Sequence, residues 1–362
     1  MSKLINYLSK KPLSLFLLAF PAAIMASAFN WGTIWVFSLS ALGVIPLAGY
    51  IGEATESLAI FTGPKIGGLL NATLGNAAEL IITLVAINAG LMELVKASIT
   101  GSILGNLLLV LGAAMLAGGL KNGVQQFDRR QSSNHSVMLS LAIIALVIPS
   151  FFGHSMGPED GSQVELLSLG VAAVMITLYV CGLIYTFKFA HSPIAVNPAD
   201  INLQKQHWGK REAILILGAA TFGVVVLSEL LVGAVEAVTV SLGVSEFFIG
   251  IILVPLVGNV AEHLVAVTVA IRNQMDLSVE IAVSSSLQIA LFVAPLLVFI
   301  SLAMGNPLTL IFNNFELWAL GAGIIIAALV SLDGESNWLE GAALLAVYLI
   351  LAIAFFLLPG VG

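Results

Sequence analysis

Long apolar stretches separated by short polar breaks run the length of the chain. An apolar run of about 17–25 residues is long enough to cross a bilayer core as a helix. On that criterion the sequence predicts eleven spans, at 12–28, 32–62, 64–91, 94–119, 135–152, 163–189, 211–241, 245–271, 277–303, 314–331 and 338–358. The second and seventh exceed a straight crossing, which predicts a kink, a tilt or a break in each. The runs do not alternate with a period of two, so a membrane β-barrel is excluded. The one long polar stretch, 191–210, contains Pro193 and Pro198 and predicts a cytoplasmic linker. It divides the chain into a leading helix at 1–31, a five-helix unit at 32–190, the linker, and a second five-helix unit at 211–362.

Composition narrows the class. Of 362 residues 59% are hydrophobic and 9% are charged, against about 25% charged in an ordinary soluble domain. No soluble core of this length absorbs so much apolar surface, which excludes a soluble enzyme and a disordered chain. With 13 basic residues and a net charge of −7 there is no basic patch for nucleic acid. The fold class is therefore an all-α polytopic membrane protein. Lys10 and Lys11 precede the apolar run Leu13–Ala22, and Ala26-Ser27-Ala28 resembles a signal-peptidase site; the segment is expected to stay as the first helix. The single cysteine, Cys181, lies in an apolar run and is expected to be a small packing residue.

Basic residues set the orientation. With the N-terminus inside, 12 of the 13 lysines and arginines fall on the cytoplasmic side, and Lys96 alone lies outside. Eleven spans then put the C-terminus outside.

Gly75-Asn76-Ala77-Ala78-Glu79 recurs as Gly258-Asn259-Val260-Ala261-Glu262, 183 residues later. At the same offset Gly67 meets Gly250, Leu70 meets Leu253, Glu53 meets Glu236 and Ser102 meets Ser285. Each half is therefore expected to be one repeat. An odd number of spans per repeat makes the two antiparallel, an arrangement secondary transporters use to place polar groups at the bilayer midplane. At 1.5 Å per residue Glu79 lies roughly 20 Å along its span from Lys65, and Glu262 roughly 15 Å from Arg272. Both fall near the middle of a core about 30 Å thick.

A carboxylate at that depth costs at least about 2.5–3.5 kcal/mol unless it is protonated, paired or cation-bound. No lysine or arginine stands near either glutamate along its span, which leaves protonation and cation binding. Helical spacing sets Asn76 and Thr83 on the face of Glu79, and Asn259 on that of Glu262. It also groups Ser102 with Asn106, and Ser284 and Ser285 with Gln288. These groups offer oxygen, and only His263 nearby offers imidazole nitrogen. Such donors suit a hard cation, Ca²⁺ first and Mn²⁺ second, and two carboxylates neutralise one divalent ion. The interrupting glycines and Pro255 would let backbone carbonyls turn toward an ion, or would serve close helix packing.

Gly75–Ile82 (GNAAELII) and Gly258–Val267 (GNVAEHLVAV) resemble the two motifs of the Ca²⁺/cation–proton exchangers, the CAX family. Gly67–Thr73 (GGLLNAT), Gly101–Leu109 (GSILGNLLL) and Ser284–Phe292 (SSSLQIALF) extend the likeness, which covers essentially the whole chain. It implies an eleven-span fold that exports Ca²⁺ against H⁺. It makes Glu79 and Glu262 the exchange carboxylates, with Asn76, Asn259, Ser102, Ser285 and Gln288 lining the cation path. Eukaryotic members carry an acid-rich stretch between the halves. Here 191–210 contains only Asp200, which points to a bacterial plasma membrane. Glu56, Glu236 and His263 are candidates for a proton path or cavity mouth.

The expected function is Ca²⁺/H⁺ antiport by alternating access, with Ca²⁺ and H⁺ as substrates, the bilayer as partner and no cofactor. A homo-oligomer is left open. The alternatives are a Na⁺-coupled Ca²⁺ exchanger and a Mn²⁺/H⁺ antiporter. No His-Glu-x-x-His motif supports an intramembrane enzyme.

Overall fold

The protein is described here from a computed structural model covering residues 12–156, 158, 161–188 and 208–358. Most of the 191–210 linker, the loop acids Glu159 and Asp160, and Lys3, Lys10 and Lys11 lie outside the described residues.

Apolar runs become helices because a bilayer offers no water to backbone N–H and C=O groups, and a helix satisfies its own. They are α1 (Leu13–Ala28), α2 (Thr33–Thr62), α3 (Pro64–Leu74), α4 (Ala77–Asn88), α5 (Met92–Asn122), α6 (Arg129–Met156) and α7 (Ser162–Lys188). Beyond the linker follow α8 (Lys210–Leu242), α9 (Glu246–Ile271), α10 (Met275–Met304), α11 (Asn314–Val330) and α12 (Trp338–Leu357). Eight of these segments are long and apolar enough to cross a membrane, and α1, α4 and α11 are shorter apolar helices. The outer surface carries large apolar side chains, among them Trp35, Phe222, Val240 and Trp318, all more than half exposed. A soluble surface does not tolerate such a belt, and a lipid-facing one requires it. Cys181 also lies exposed on α7, not packed inside as the sequence suggested. The protein is a multi-pass membrane protein.

The interruptions have local causes. α2 and α8, the long spans expected to kink, tilt or break, each run as one unbroken helix, α2 through Pro46. The break falls between α3 and α4, where the helix lapses at Gly75-Asn76. In α9 and α10 the winding loosens to a π turn at Ile249–Leu253 and Ile289–Val293, just ahead of Pro255 and Pro295. A proline removes one N–H and crowds the carbonyl four residues back, and a wider turn accommodates both. A third π turn, Gly105–Val110 in α5, begins at a glycine.

α2 and α8 form the most extensive helix pair, with α1 against α2. α4, α5, α9 and α10 meet one another in the interior, and α12 covers α5. One buried segment is not helical. Residues 306–313 cross between α10 and α11 without regular secondary structure, with Leu308, Leu310, Ile311 and Phe312 buried. Three serines serve the backbone of this strap. Ser301 Oγ accepts from Leu308 N at 2.8 Å, Ser168 Oγ from Leu310 N at 3.0 Å and Ser150 Oγ from Phe312 N at 2.9 Å. Ser150 also donates to Leu310 O at 3.3 Å. Ser150→Ala strands a buried donor and acceptor and is expected to destabilise the protein by about 1–3 kcal/mol, read as a lower melting temperature in detergent. A two-residue ladder, β1 (Gln125–Gln126) antiparallel to β2 (Glu335–Ser336), joins two polar turns at one end of the bundle.

Candidate functional site

Asn76 occupies the N-cap position of α4 without capping it through its side chain, and Glu79 stands at the third helical position, so the break at Gly75-Asn76 leaves both side chains in the interior. Asn259 and Glu262 come from the unbroken part of α9. The two motifs cross reciprocally. A methyl group on Gly258 would lie 2.9 Å from Glu79 Oε1, and one on Gly75 would lie 3.6 Å from Glu262 Oε1. Each glutamate therefore rests on the glycine that precedes the other glutamate by four residues. At Gly258 only glycine allows the carboxylate that close to the helix backbone, while at Gly75 Glu262 lies at ordinary contact distance.

The surrounding donors also cross between halves. Asn76 Nδ2 donates to Gln288 Oε1 at 2.8 Å. Asn259 Nδ2 donates to Ser102 Oγ at 3.5 Å and to Pro255 O at 3.2 Å. Ser285 Oγ donates to Glu262 Oε2. Asn76, Glu79, Ser102, Asn106, Asn259, Ser284, Ser285 and Gln288 are buried, and Glu262 is partly buried. Thr83 is spent on its own helix, donating to Glu79 O at 2.7 Å.

Two oxygens, Glu79 Oε1 and Asn76 Oδ1, are buried without a hydrogen-bond partner, as is Ser284 Oγ. A buried acceptor left unmatched is costly, so the arrangement needs a proton or a cation to complete it. Among the described residues no group of three or more histidines, cysteines or acids is placed to hold a metal ion. Two carboxylates with amide and hydroxyl oxygens can hold a hard cation without a dense acidic cage.

The remaining candidates separate. Glu56 on α2 is partly buried and within Coulombic reach of Glu262. His263 is partly buried with Nε2 unpartnered. Glu236 is exposed on α8 and near Glu246. The sequence reading passed over Glu316. It is buried, accepts from Thr100 Oγ1 at 3.2 Å, and forms a capping box with Asn313 at the start of α11. The spacing Asn313-x-x-Glu316 before an apolar run was the available signal.

Fold and site together define a multi-pass helical membrane protein with an acid pair shared between its two halves. The sodium/calcium exchanger protein family matches over residues 32–188 and 212–357. The chain belongs to that family. It is 43% identical over 364 residues to the Ca²⁺/H⁺ antiporter of Aphanothece halophytica, covering 95% of each chain. It is 45% identical over 343 residues to the Ca²⁺/H⁺ antiporter ChaA of Bacillus subtilis, covering 93% of this chain and 96% of that one. The solved structure of native YfkE is 42% identical and superposes with a TM-score of 0.84 over 96% of this chain and all 100% of its own. A crystal structure of the H⁺/Ca²⁺ exchanger CAX, 20% identical, shares the fold with a TM-score of 0.72, covering 96% and 92% of the two chains.

Proposed function

We propose that the chain is a Ca²⁺/H⁺ antiporter of the bacterial plasma membrane, exporting cytosolic Ca²⁺ in exchange for external H⁺. The reciprocal seating of Glu79 on Gly258 and Glu262 on Gly75, with Glu79 Oε1 and Asn76 Oδ1 unmatched, carries this reading. Two carboxylates balance one Ca²⁺ or take up protons, and a site that is empty and doubly charged is too costly to move through lipid. Coupling follows from that cost. Asn76, Asn259, Ser102, Ser285 and Gln288 orient the pair or supply oxygen to the ion. Glu56, partly buried on α2, is the candidate to relay a proton to Glu262.

The eight long helices, joined by α1, by α3 with α4, and by α11, make eleven spans, one leading helix and two inverted repeats. Lys121, Arg129 and Arg272 stand at the β1–β2 end, which supports reading that end as the cytoplasmic one.

Corresponding half-helices dock differently, which supports alternation. Gly250 sits against α5, where a methyl would lie 2.8 Å from Ala97 Cβ and 2.9 Å from Leu94 O. Glu246 Oε1 fastens the same corner by accepting from Leu94 N at 3.2 Å. Gly67, the counterpart of Gly250, instead sits on α2, where a methyl would lie 2.7 Å from Ala59 Cβ. The N-terminal half of α9 is thus packed on α5, and α3 on α2. We assign this arrangement to a cytoplasm-facing state.

Purified protein in liposomes with an imposed pH gradient is expected to accumulate ⁴⁵Ca²⁺. An ionophore that collapses the gradient stops the uptake, and replacing Na⁺ leaves it unchanged. Uptake that follows a Na⁺ gradient and ignores pH would favour the Na⁺-coupled alternative, and Mn²⁺ competition measures selectivity.

A further inference from the structure

The β1–β2 end of the bundle holds a polar junction that the exchange site does not use. Gln125 is only 2% exposed, and its Nε2 donates to Ala270 O and to Asn273 Oδ1, each at 2.9 Å. Asn122 Nδ2 donates to Ala270 O and Ile271 O, each at 3.2 Å. Asn273 takes a left-handed conformation, φ 63°, in the turn between α9 and α10. Gly118 on α5 makes room for the amide: a methyl there would overlap Gln125 Oε1 and lie 3.1 Å from Ala270 O. Asp128 N donates to Asp276 Oδ1 at the start of α10, and Phe127 N donates to Gly334 O at 2.9 Å. One short segment, 122–128, thus ties the last turn of α5, the last turn of α9, the first turn of α10 and the 334–336 turn.

Those three helices carry most of the site: Ser102 and Asn106 on α5, Asn259 and Glu262 on α9, Ser285 and Gln288 on α10. Two site contacts join them, Asn259 to Ser102 and Ser285 to Glu262. The first, at 3.5 Å, is long for a hydrogen bond and depends on the register of α9 against α5. Ala270 lies eight residues past Glu262, about 12 Å along the same rigid helix. α4, which carries Asn76 and Glu79, is held at its opposite end, where Asn306 Nδ2 donates to Ile87 O at 3.1 Å.

We propose that Gln125 is a positioning residue for cation binding: by holding the end of α9 against α5 and the α9–α10 turn, it sets the register of Glu262 and Asn259 against Ser102 and Ser285. The proposal rests on the exchange reading above. The full chain is tested in liposomes under a pH gradient, with initial ⁴⁵Ca²⁺ uptake measured across Ca²⁺ concentrations. Gln125→Leu keeps bulk and removes the amide. It is expected to raise the apparent KM for Ca²⁺ about tenfold, the cost typical of losing a group that orients a metal ligand, with the maximal rate within about twofold. Asn122→Ala removes one of two donors to Ala270 O and tests the same junction if Gln125→Leu does not fold, with an expected rise of roughly threefold. In a Ser102→Ala background the effect of Gln125→Leu is expected to shrink, because both act on one contact. An unchanged KM with a rate that falls only as the folded fraction falls would overturn the proposal, as would full additivity with Ser102→Ala. Failure of the exchange reading is a separate result: uptake by the unaltered protein would then ignore the pH gradient.

Discussion

Glu79→Gln and Glu262→Gln are each expected to abolish proton-driven Ca²⁺ uptake while leaving a folded protein. Glutamine keeps the shape of glutamate and discards both the charge and the exchangeable proton. With one carboxylate left, a bound Ca²⁺ retains a unit charge in a low-dielectric interior. A charge at that depth costs about 2.5–3.5 kcal/mol, roughly a hundredfold or more in affinity. The two substitutions should not behave alike in detail. Glu262 Oε2 accepts from Ser285, and a glutamine oxygen preserves that bond. Glu79 Oε1 has no donor and rests on Gly258, so a buried amide there gains an N–H or oxygen with nothing to meet. Glu79→Gln is therefore expected to lower thermal stability more than Glu262→Gln. The measurement is ⁴⁵Ca²⁺ uptake in liposomes with and without a pH gradient, beside a melting curve in detergent. Full gradient-driven uptake by either variant would overturn the assignment of the acid pair.

The repeated Gly-Asn-x-Ala-Glu motif made the acid pair legible in the sequence, because a charge that lipid penalises stands out in an apolar run. The helical, membrane-spanning class was equally legible, since apolar length is the signal the bilayer imposes, and eight helices are long and apolar enough to cross. Three features carried no comparable signal. The second and seventh spans were expected to kink, tilt or break, and α2 and α8 are each unbroken; of the interrupting glycines in the third span, nothing local singled out Gly75-Asn76 as the point where it divides. That break moves Asn76 from the helical face, where spacing had set it beside Thr83, to the cap of α4. The buried strap 306–313 depends on Ser150, Ser168 and Ser301, which lie on α6, α7 and α10. Such partners are distant in sequence, and nothing local marks a serine as serving remote backbone. Gln125 is similar: a glutamine in a short polar loop looks solvated until the α9 terminus is brought to it.

Gly101→Ala is expected to be far more damaging than Gly105→Ala, although both glycines are buried on α5 one turn apart. A methyl at Gly101 would overlap the carbonyl of Ile251 and lie 2.6 Å from its carbon and 2.8 Å from its Cα. These are backbone atoms in the π turn of α9, so no side chain can rotate away. A methyl at Gly105 meets nothing within 4 Å. Overpacking at a rigid contact costs about 1–3 kcal/mol and sometimes more, whereas glycine to alanine in an open helical position gains up to about 1 kcal/mol. Relief at Gly101 requires the N-terminal half of α9 to lift from α5. That lift also strains the Glu246–Leu94 hydrogen bond that closes the same corner. Gly101→Ala should therefore lower uptake at least about tenfold, in line with a contact cost near 1.4 kcal/mol or above, together with a lower melting temperature. Gly105→Ala should transport within about twofold of the unaltered protein, a difference below about 0.5 kcal/mol. Equal tolerance of the two substitutions would mean that α9 does not close on α5 by backbone contact, and the docking of Gly250 on Leu94 and Ala97 would lose the closing role proposed for it.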